Sequence, residues 1–172
     1  AAVGILVCNS AGNEGDGSWY YIGAPADGDS VFTIGAVDIN GNSVSYSSHG
    51  PTFDGRLKPN VVGQGAGTGV VASNGTVAYG NGTSYSSPLI AGACASFMSA
   101  FPELSNMEVM DIIQSTASQA DNPDNSMGYG IPNFAKAYLE LKGIDISTEN
   151  IISILPNPAS DEVTIFINGQ AT

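Results

Sequence analysis

The chain is poor in positive charge. Its 172 residues carry four Lys and Arg against sixteen Asp and Glu, a formal net charge of −12 at pH 7. Four cations cannot build the basic face that phosphate neutralisation requires, which argues against nucleic acid as a partner. Long apolar runs are also missing. The longest, Pro88 to Phe101, has 14 residues, short of the ~20 that a bilayer-crossing helix needs, so no membrane span is expected. Cysteine occurs only at Cys8 and Cys94 and histidine only at His49, too few ligands for a zinc site. Both cysteines lie in apolar stretches, where an inert buried thiol is a plainer reading than a disulfide. At 42% hydrophobic and 12% charged residues, the chain is too apolar for disorder and fits a packed core.

What is abundant is turn chemistry, with 22 Gly and 9 Pro. Up to about residue 80 the apolar runs are short and separated by Gly, Asn, Asp and Pro. They predict strands at Gly4 to Cys8, Ser30 to Val37, Ser43 to Tyr46, Val61-Val62, Gly69 to Ala72 and Thr76 to Tyr79. The second part reads as helical. Ser87-Pro88 offers an N-cap with proline at the first helical position, and the run that follows is apolar nearly all round, predicting a helix buried on every side. Ser105 and Glu108 have the spacing of a capping box. Val109, Ile112, Ile113 and Thr116 behind them repeat with helical period. A third helix is expected from Asn133 to Lys142. Strands, a buried helix and surface helices in that order predict an α/β layered domain over residues 1–143.

Residues 144–150 read as a linker, and a β-type pattern begins at Ile151, with strands at Ile152 to Leu155 and Val163 to Ile167. The chain opens at Ala1 inside an apolar run, with neither methionine nor signal peptide, and stops just after a strand-like segment. Both ends read as cuts, so the sequence is expected to be part of a longer protein. Scarce Lys with abundant Ser, Thr, Asn and Gly suits an exported acidic protein.

The richest stretch chemically is Gly80-Asn81-Gly82-Thr83-Ser84-Tyr85-Ser86-Ser87-Pro88. A serine at the N-terminal edge of a helix lies beside unpaired N–H groups and the positive end of the macrodipole, where a developing oxyanion is stabilised. Ser84 is therefore a candidate nucleophile, although a polar helix-capping turn would have the same composition. A second stretch, Ser10-Ala11-Gly12-Asn13-Glu14-Gly15, follows the first strand directly. An asparagine placed there between glycines can turn its amide into a crevice and donate to an anionic oxygen. Gly82-Thr83-Ser84-Tyr85-Ser86 lacks the last glycine of the Gly-x-Ser-x-Gly elbow, and no histidine follows Ser84, which excludes the α/β-hydrolase order. Gly63 to Gly69 is glycine-rich but matches neither dinucleotide nor P-loop spacing.

Taken together, the two segments resemble the subtilisin family of serine proteases. Phe32-Thr33-Ile34-Gly35-Ala36-Val37, Ser45-Tyr46-Ser47-Ser48-His49-Gly50-Pro51, Lys58-Pro59-Asn60-Val61-Val62 and Gly128-Tyr129-Gly130 extend the likeness in the same order. The resemblance covers about residues 1–143 and implies the C-terminal half of a subtilisin-like three-layer α/β domain with a mostly parallel sheet. It implies Ser84 as nucleophile, Asn13 as the oxyanion-hole amide and Thr83 as its flanking partner. Ser10, Ala11 and Gly12 would wall the substrate pocket, with Gly23 near its floor and Glu14 at its rim. Pro88 would lie one turn into the nucleophile helix. The family's order is Asp, His, Ser, so the first two are expected upstream of Ala1, in the missing half of the domain, and the chain alone is expected to be inactive. His49 sits in a turn segment and is not the expected base. Asn60 stands where the family has Asp, which puts that loop's geometry in question.

The implied activity is peptide-bond hydrolysis on polypeptide substrates through an acyl-enzyme, with no cofactor for catalysis. Structural calcium is an option for which Asp16, Asp27 and Asp29 are the local carboxylates, solvated surface acids being the plainer reading. Ile154 to Ile165 is similar to the opening of the C-terminal sorting domain of the type IX secretion system, a β-sandwich. That implies the secretion machinery as a partner and a secreted or cell-surface location. The alternative is a non-catalytic pseudoprotease or surface adhesion module that keeps the fold.

Overall fold

The computed structural model describes residues 4–144, together with the strands at 152–155, 164–167 and 170–171. A three-stranded parallel sheet runs β1 (Val7–Ser10), β2 (Val31–Val37), β3 (Val61–Gln64), in that spatial order. Val7 pairs with Val31 and Ser10 with Ile34 on one side of β2, and Ile34 with Val61 and Val37 with Gln64 on the other. Six of the seven β2 residues are buried, as expected of a central parallel strand covered on both faces.

Helix α1 (Thr83–Ala100) packs across all three strands. Ile90, Cys94 and Phe97 on α1 meet Phe32, Ile34 and Val61 of the sheet in one apolar core. The core is completed by Val109, Met110 and Ile113 of helix α2 (Asn106–Ser115) and by Ala137 of helix α3 (Phe134–Leu141). The α2 capping box is present: Glu108 N–H donates to Ser105 Oγ at 3.3 Å and Ser105 N–H to Glu108 Oε2 at 2.8 Å. Cys8 and Cys94 are free thiols hydrogen-bonded to each other across the β1–α1 contact. That bond and burial push the Cys94 thiol far above its ordinary range.

Three expectations are corrected. The nucleophile helix begins at Thr83, so Ser87 is not its N-cap and Pro88 lies inside it. The first turn forms upstream of the proline because the Gly82 and Thr83 N–H groups find acceptors in Gly65 O and Asn13 Oδ1. The helix is not buried all round either: Pro88, Leu89, Gly92 and Ala95 are exposed, and the buried face is Ser86, Ser87, Ile90, Cys94 and Phe97. Ser43 to Tyr46 forms no strand beyond a single bridge from Val37 to Ser43. There Asp38 turns the chain by accepting from the N–H groups of Asn40 and Asn42.

β4 (Thr68–Val71) and β5 (Val77–Gly80) form an antiparallel hairpin that delivers the chain to α1. The chain divides into two compact units, residues 1–137 and 138–172. In the second, β6 (Ile152–Leu155), β7 (Thr164–Ile167) and β8 (Gln170–Ala171) pair in order as an antiparallel sheet. The Pro-Asn-Pro turn and most of the segment that resembles a sorting domain lie outside the described residues.

Candidate active site

Ligand sites in parallel α/β sheets gather where the strands' carboxyl ends open. Asn13 leaves that end of β1, and α1 begins beside it. Asn13 Oδ1 accepts the Thr83 backbone N–H at 2.9 Å and the Thr83 hydroxyl at 3.1 Å, and Thr83 Oγ1 in turn accepts the Gly12 N–H at 3.2 Å. The side-chain oxygen of Asn13 thus caps α1 in place of a local residue, the N-cap Gly82 having no side chain to do so.

Because two donors claim Oδ1, the orientation of the Asn13 amide follows from its bonds and leaves the Nδ2 group free. A second free donor lies close by. No hydrogen bond engages the Ser84 backbone N–H or its hydroxyl, and the side chain is exposed. Gly82 shows how near the two are. A Cβ built on this residue, at φ +142°, would be 3.5 Å from Asn13 Nδ2 and 3.8 Å from Ser84 N, so both donors border the space the missing side chain leaves. Gly12 is constrained too, with φ +107° and a would-be Cβ only 2.8 Å from Ser48 Oγ. No acidic residue lies in the first turn of α1 to offset its positive end.

Beside this corner is a cleft of about 420 Å³. Ser10, Ala11, Gly12, Glu14 and Gly23 all line it. Thr83 does not: it is fully buried behind Asn13, so its contact is with the amide and not with the cleft. Trp19, Tyr21 and Ser48 also line the cleft, and sequence reasoning missed them. The aromatic run Trp19-Tyr20-Tyr21 in a glycine-rich acidic loop was the available signal, since aromatics in a solvated loop need a reason to be there.

His49 is engaged by the neighbouring aromatic loop. Its ring stacks on Tyr20 with centroids 4.5 Å apart, and its backbone pairs with Tyr20 and Ile22. Among the described residues no group of three or more His, Cys, Asp or Glu side chains is placed to hold a metal ion. In the acidic loop the cation is Arg56, whose guanidinium lies 2.9 Å from Asp54 and 3.8 Å from Asp29. Hydrogen bonds from Arg56 and Thr52 hold the Asp54 carboxyl down at about 2. Asp16 accepts from the Ser45 hydroxyl instead.

The Asn60 position retains a full set of partners. Its Oδ1 accepts the Thr33 N–H at 2.8 Å and Lys58 Nζ at 2.7 Å, and its Nδ2 donates to Gln114 Oε1 at 2.7 Å. Lys58 also donates to Val31 O and Thr33 Oγ1, and is buried with no carboxylate among those partners. Burial lowers its ammonium to about 8, with Arg56 adding to the effect.

Comparison with known proteins places this geometry. The model of the subtilase family matches residues 1–130. The chain is 40% identical to subtilisin DY of Bacillus licheniformis over 130 residues, 75% of this chain and 44% of that protein. It is 32% identical to alkaline elastase YaB of Bacillus sp. (strain YaB) over 133 residues, covering 77% and 32%. In structure it is similar to the self-cleaved protease domain of PatA, at a TM-score of 0.68 and 22% identity over 84% of this chain and 53% of that one. MycP1 from the ESX-1 type VII secretion system aligns at a TM-score of 0.64 and 21% identity, covering 79% and 42%. The chain thus spans less than half the length of these two curated relatives.

Proposed function

The chain belongs to the subtilase family, and from that premise we propose that it is the C-terminal half of the catalytic domain of an exported serine endopeptidase. The observation that carries the reading is the Asn13–Thr83 lock, which holds one amide N–H group and the Ser84 N–H free beside an exposed serine hydroxyl. In the proposed reaction Ser84 Oγ attacks the scissile carbonyl of a polypeptide while an upstream His takes the hydroxyl proton. An upstream Asp orients that His. The oxyanion accepts from Asn13 Nδ2 and the Ser84 N–H. Collapse breaks the C–N bond, the proton passes to the leaving amine, and water then hydrolyses the acyl-enzyme by the same route. Each oxyanion donor is worth ~10²–10³ in kcat, a magnitude established in subtilisin itself.

Surface features support an upstream half as the missing partner. β1 is an edge strand with no neighbour on one side among the described residues, Val7 on it and Ile5 before it are exposed, and Leu89 stands exposed on α1. Unpaired edges and apolar faces of this kind are normally covered. The β-strands from 152 onward are proposed as the start of a sorting domain read by type IX secretion machinery, in keeping with the acidic, lysine-poor composition. No helix among the described residues is long and apolar enough to cross a membrane.

A serine-directed organophosphonate added to the protein with its complete domain is expected to label Ser84, and S84A to abolish the label. A folded parent that stays unlabelled sinks the reading in favour of a non-catalytic module. The 172-residue chain alone is expected to show no turnover.

A further inference from the structure

The two cysteines stand about 86 positions apart in sequence and meet in the core. Leu6 and Cys8, two positions apart and so on one face of an extended segment, both pack against the apolar cluster that holds α1. On α1, Ile90, Cys94 and Phe97 repeat at helical spacing along the buried face. The strand period and the helix period thus converge, and they leave thiol against thiol. Packing at either position asks only for a small apolar side chain. What cysteine adds to such a side chain is its reactivity.

The two sulfurs are not equivalent. Cys8 is half-buried, whereas Cys94 is 2% exposed. The Cys94 S–H donates to the Cys8 sulfur, which favours the Cys8 thiolate and lowers that thiol. The same bond, with burial, holds Cys94 protonated. One sulfur is therefore reachable and ready to ionise while the other waits behind it, the division of roles that thiol–disulfide exchange uses.

We infer that Cys8 and Cys94 form a modification site, closing to a disulfide between β1 and α1 when the protein meets a disulfide oxidant of the glutathione class. The Cys8 thiolate attacks the oxidant, breaks its S–S bond, forms a mixed disulfide and releases the first thiol. The Cys8 sulfur then carries no charge, which lifts part of the restraint on Cys94. Cys94 gives up its proton and attacks Cys8 Sγ, forming the internal bond and expelling the second thiol. Two electrons and two protons pass from the pair to the oxidant. Since β1 leads to Asn13 and α1 opens at Thr83 and Ser84, the bond staples together the two elements that meet at the candidate active site. The step needs only the fold and the oxidant, and does not rest on the peptidase reading.

The test uses the protein with its complete domain, reduced, freed of reductant and exposed to oxidised glutathione. Non-reducing peptide mapping is expected to find the Cys8 and Cys94 peptides joined and lighter by two hydrogen atoms than their sum, a link that dithiothreitol removes. Closing a loop of about 86 residues is expected to raise the melting temperature by roughly 10 °C above the reduced form. C94A is expected to stop at the mixed disulfide, with glutathione on Cys8 and no such rise. C8A, whose remaining thiol is enclosed, is expected to take up no glutathione at Cys94. C94S and C8S, with side chains of the same shape as cysteine, are expected to repeat the two results.

Unlinked peptides after oxidation, a linked pair with an unchanged or lowered melting temperature, or glutathione on Cys94 instead of Cys8 overturns the inference. Organophosphonate labelling of Ser84 enters none of these measurements. A stapled protein that stays unlabelled therefore rejects the peptidase reading alone, whereas a labelled protein without the staple rejects only the disulfide.

Discussion

Asn13 performs two tasks with the two ends of one amide, and substitution can separate them. N13A removes both. The Thr83 N–H and hydroxyl, fully buried, lose their shared acceptor. An orphaned buried donor costs ~1–3 kcal/mol and loss of a helix cap ~0.5–2 kcal/mol, two descriptions of overlapping interactions that together give about 2 kcal/mol. For a domain of this size that lowers the melting temperature by roughly 4–8 °C. N13D keeps an oxygen in the Oδ1 position and adds negative charge at the positive end of α1, worth ~0.3–1 kcal/mol. Its stability is expected to equal or exceed that of the parent. It nonetheless loses the Nδ2 donor and sets a carboxylate where the oxyanion must form, so kcat falls by at least ~10²–10³ with the fold intact. Urea denaturation of the two variants, with kcat measured in the complete protein, gives the comparison. If N13D is destabilised as much as N13A, Oδ1 is not the helix anchor. If N13D stays within a few-fold of parental activity, the free Nδ2 group is not an oxyanion donor.

Lys58 supplies a pH test. Its folded value of about 8 lies below the ordinary 10.5 because burial disfavours the ammonium, so the unfolded chain binds more protons between those values. Stability is therefore expected to rise as pH increases from about 8 toward 10.5, the burial penalty being fully present below 8. N60D sets a carboxylate 2.7 Å from Lys58 Nζ, raises the lysine and flattens the rise, read as urea midpoints at pH 7, 8.5 and 10; an unchanged slope in N60D rejects the assignment. In α2, S105A removes the acceptor of the Glu108 N–H and is expected to cost about 1 kcal/mol, leaving Ser84 labelling unchanged. A loss below ~0.3 kcal/mol would mean that the cap is replaced by water.

Local chemistry made some elements legible. The α2 capping box needs only Ser105, Glu108 and the helical period behind them, and β2 is a mostly apolar run, broken only by Thr33 and Gly35, with aspartate and glycine beyond its end. The start of α1 was not legible from local physics, since Ser87-Pro88 is a good cap by composition and nothing in residues 80 to 88 reveals that an amide seventy positions earlier has already capped Thr83. Resemblance placed Pro88 one turn into the helix where local reading did not, because a family pattern carries long-range contacts that a window of nine residues cannot. The all-round apolar character of α1 misled in another way: hydropathy reports what a surface is suited to meet, and exposure depends on what is there to meet it. Trp19 and Tyr21 were passed over for the converse reason: an aromatic run in a solvated loop shows no lining role until the fold sets it against Ser10 to Gly12.

The two capped helices also differ in what their N-termini can do, and the origin and charge of each cap decide it. Each helix begins with N–H groups that have no partner one turn earlier. In α2 the box spends two of them locally, Glu108 N–H going to Ser105 Oγ and Ser105 N–H to Glu108 Oε2, before Val109 N–H opens the regular ladder to Ser105 O. The Asn106 and Met107 N–H groups are left over, but the Glu108 carboxylate neutralises that end of the helix. In α1 the Gly82 N–H is bonded to Gly65 O, the Thr83 N–H to Asn13 and the Tyr85 N–H to Gly82 O, while the Ser84 N–H is left over. The residue that caps Thr83 contributes a free amide N–H group of its own, and no acid occupies the first turn. A helix end capped by its own acid is structurally complete and electrostatically closed to an anion. One capped by an asparagine from another strand can be just as stable while holding two unspent donors and a serine hydroxyl in one corner, which is why a strand-to-helix lock such as Asn13–Thr83 suits acyl transfer and a capping box does not.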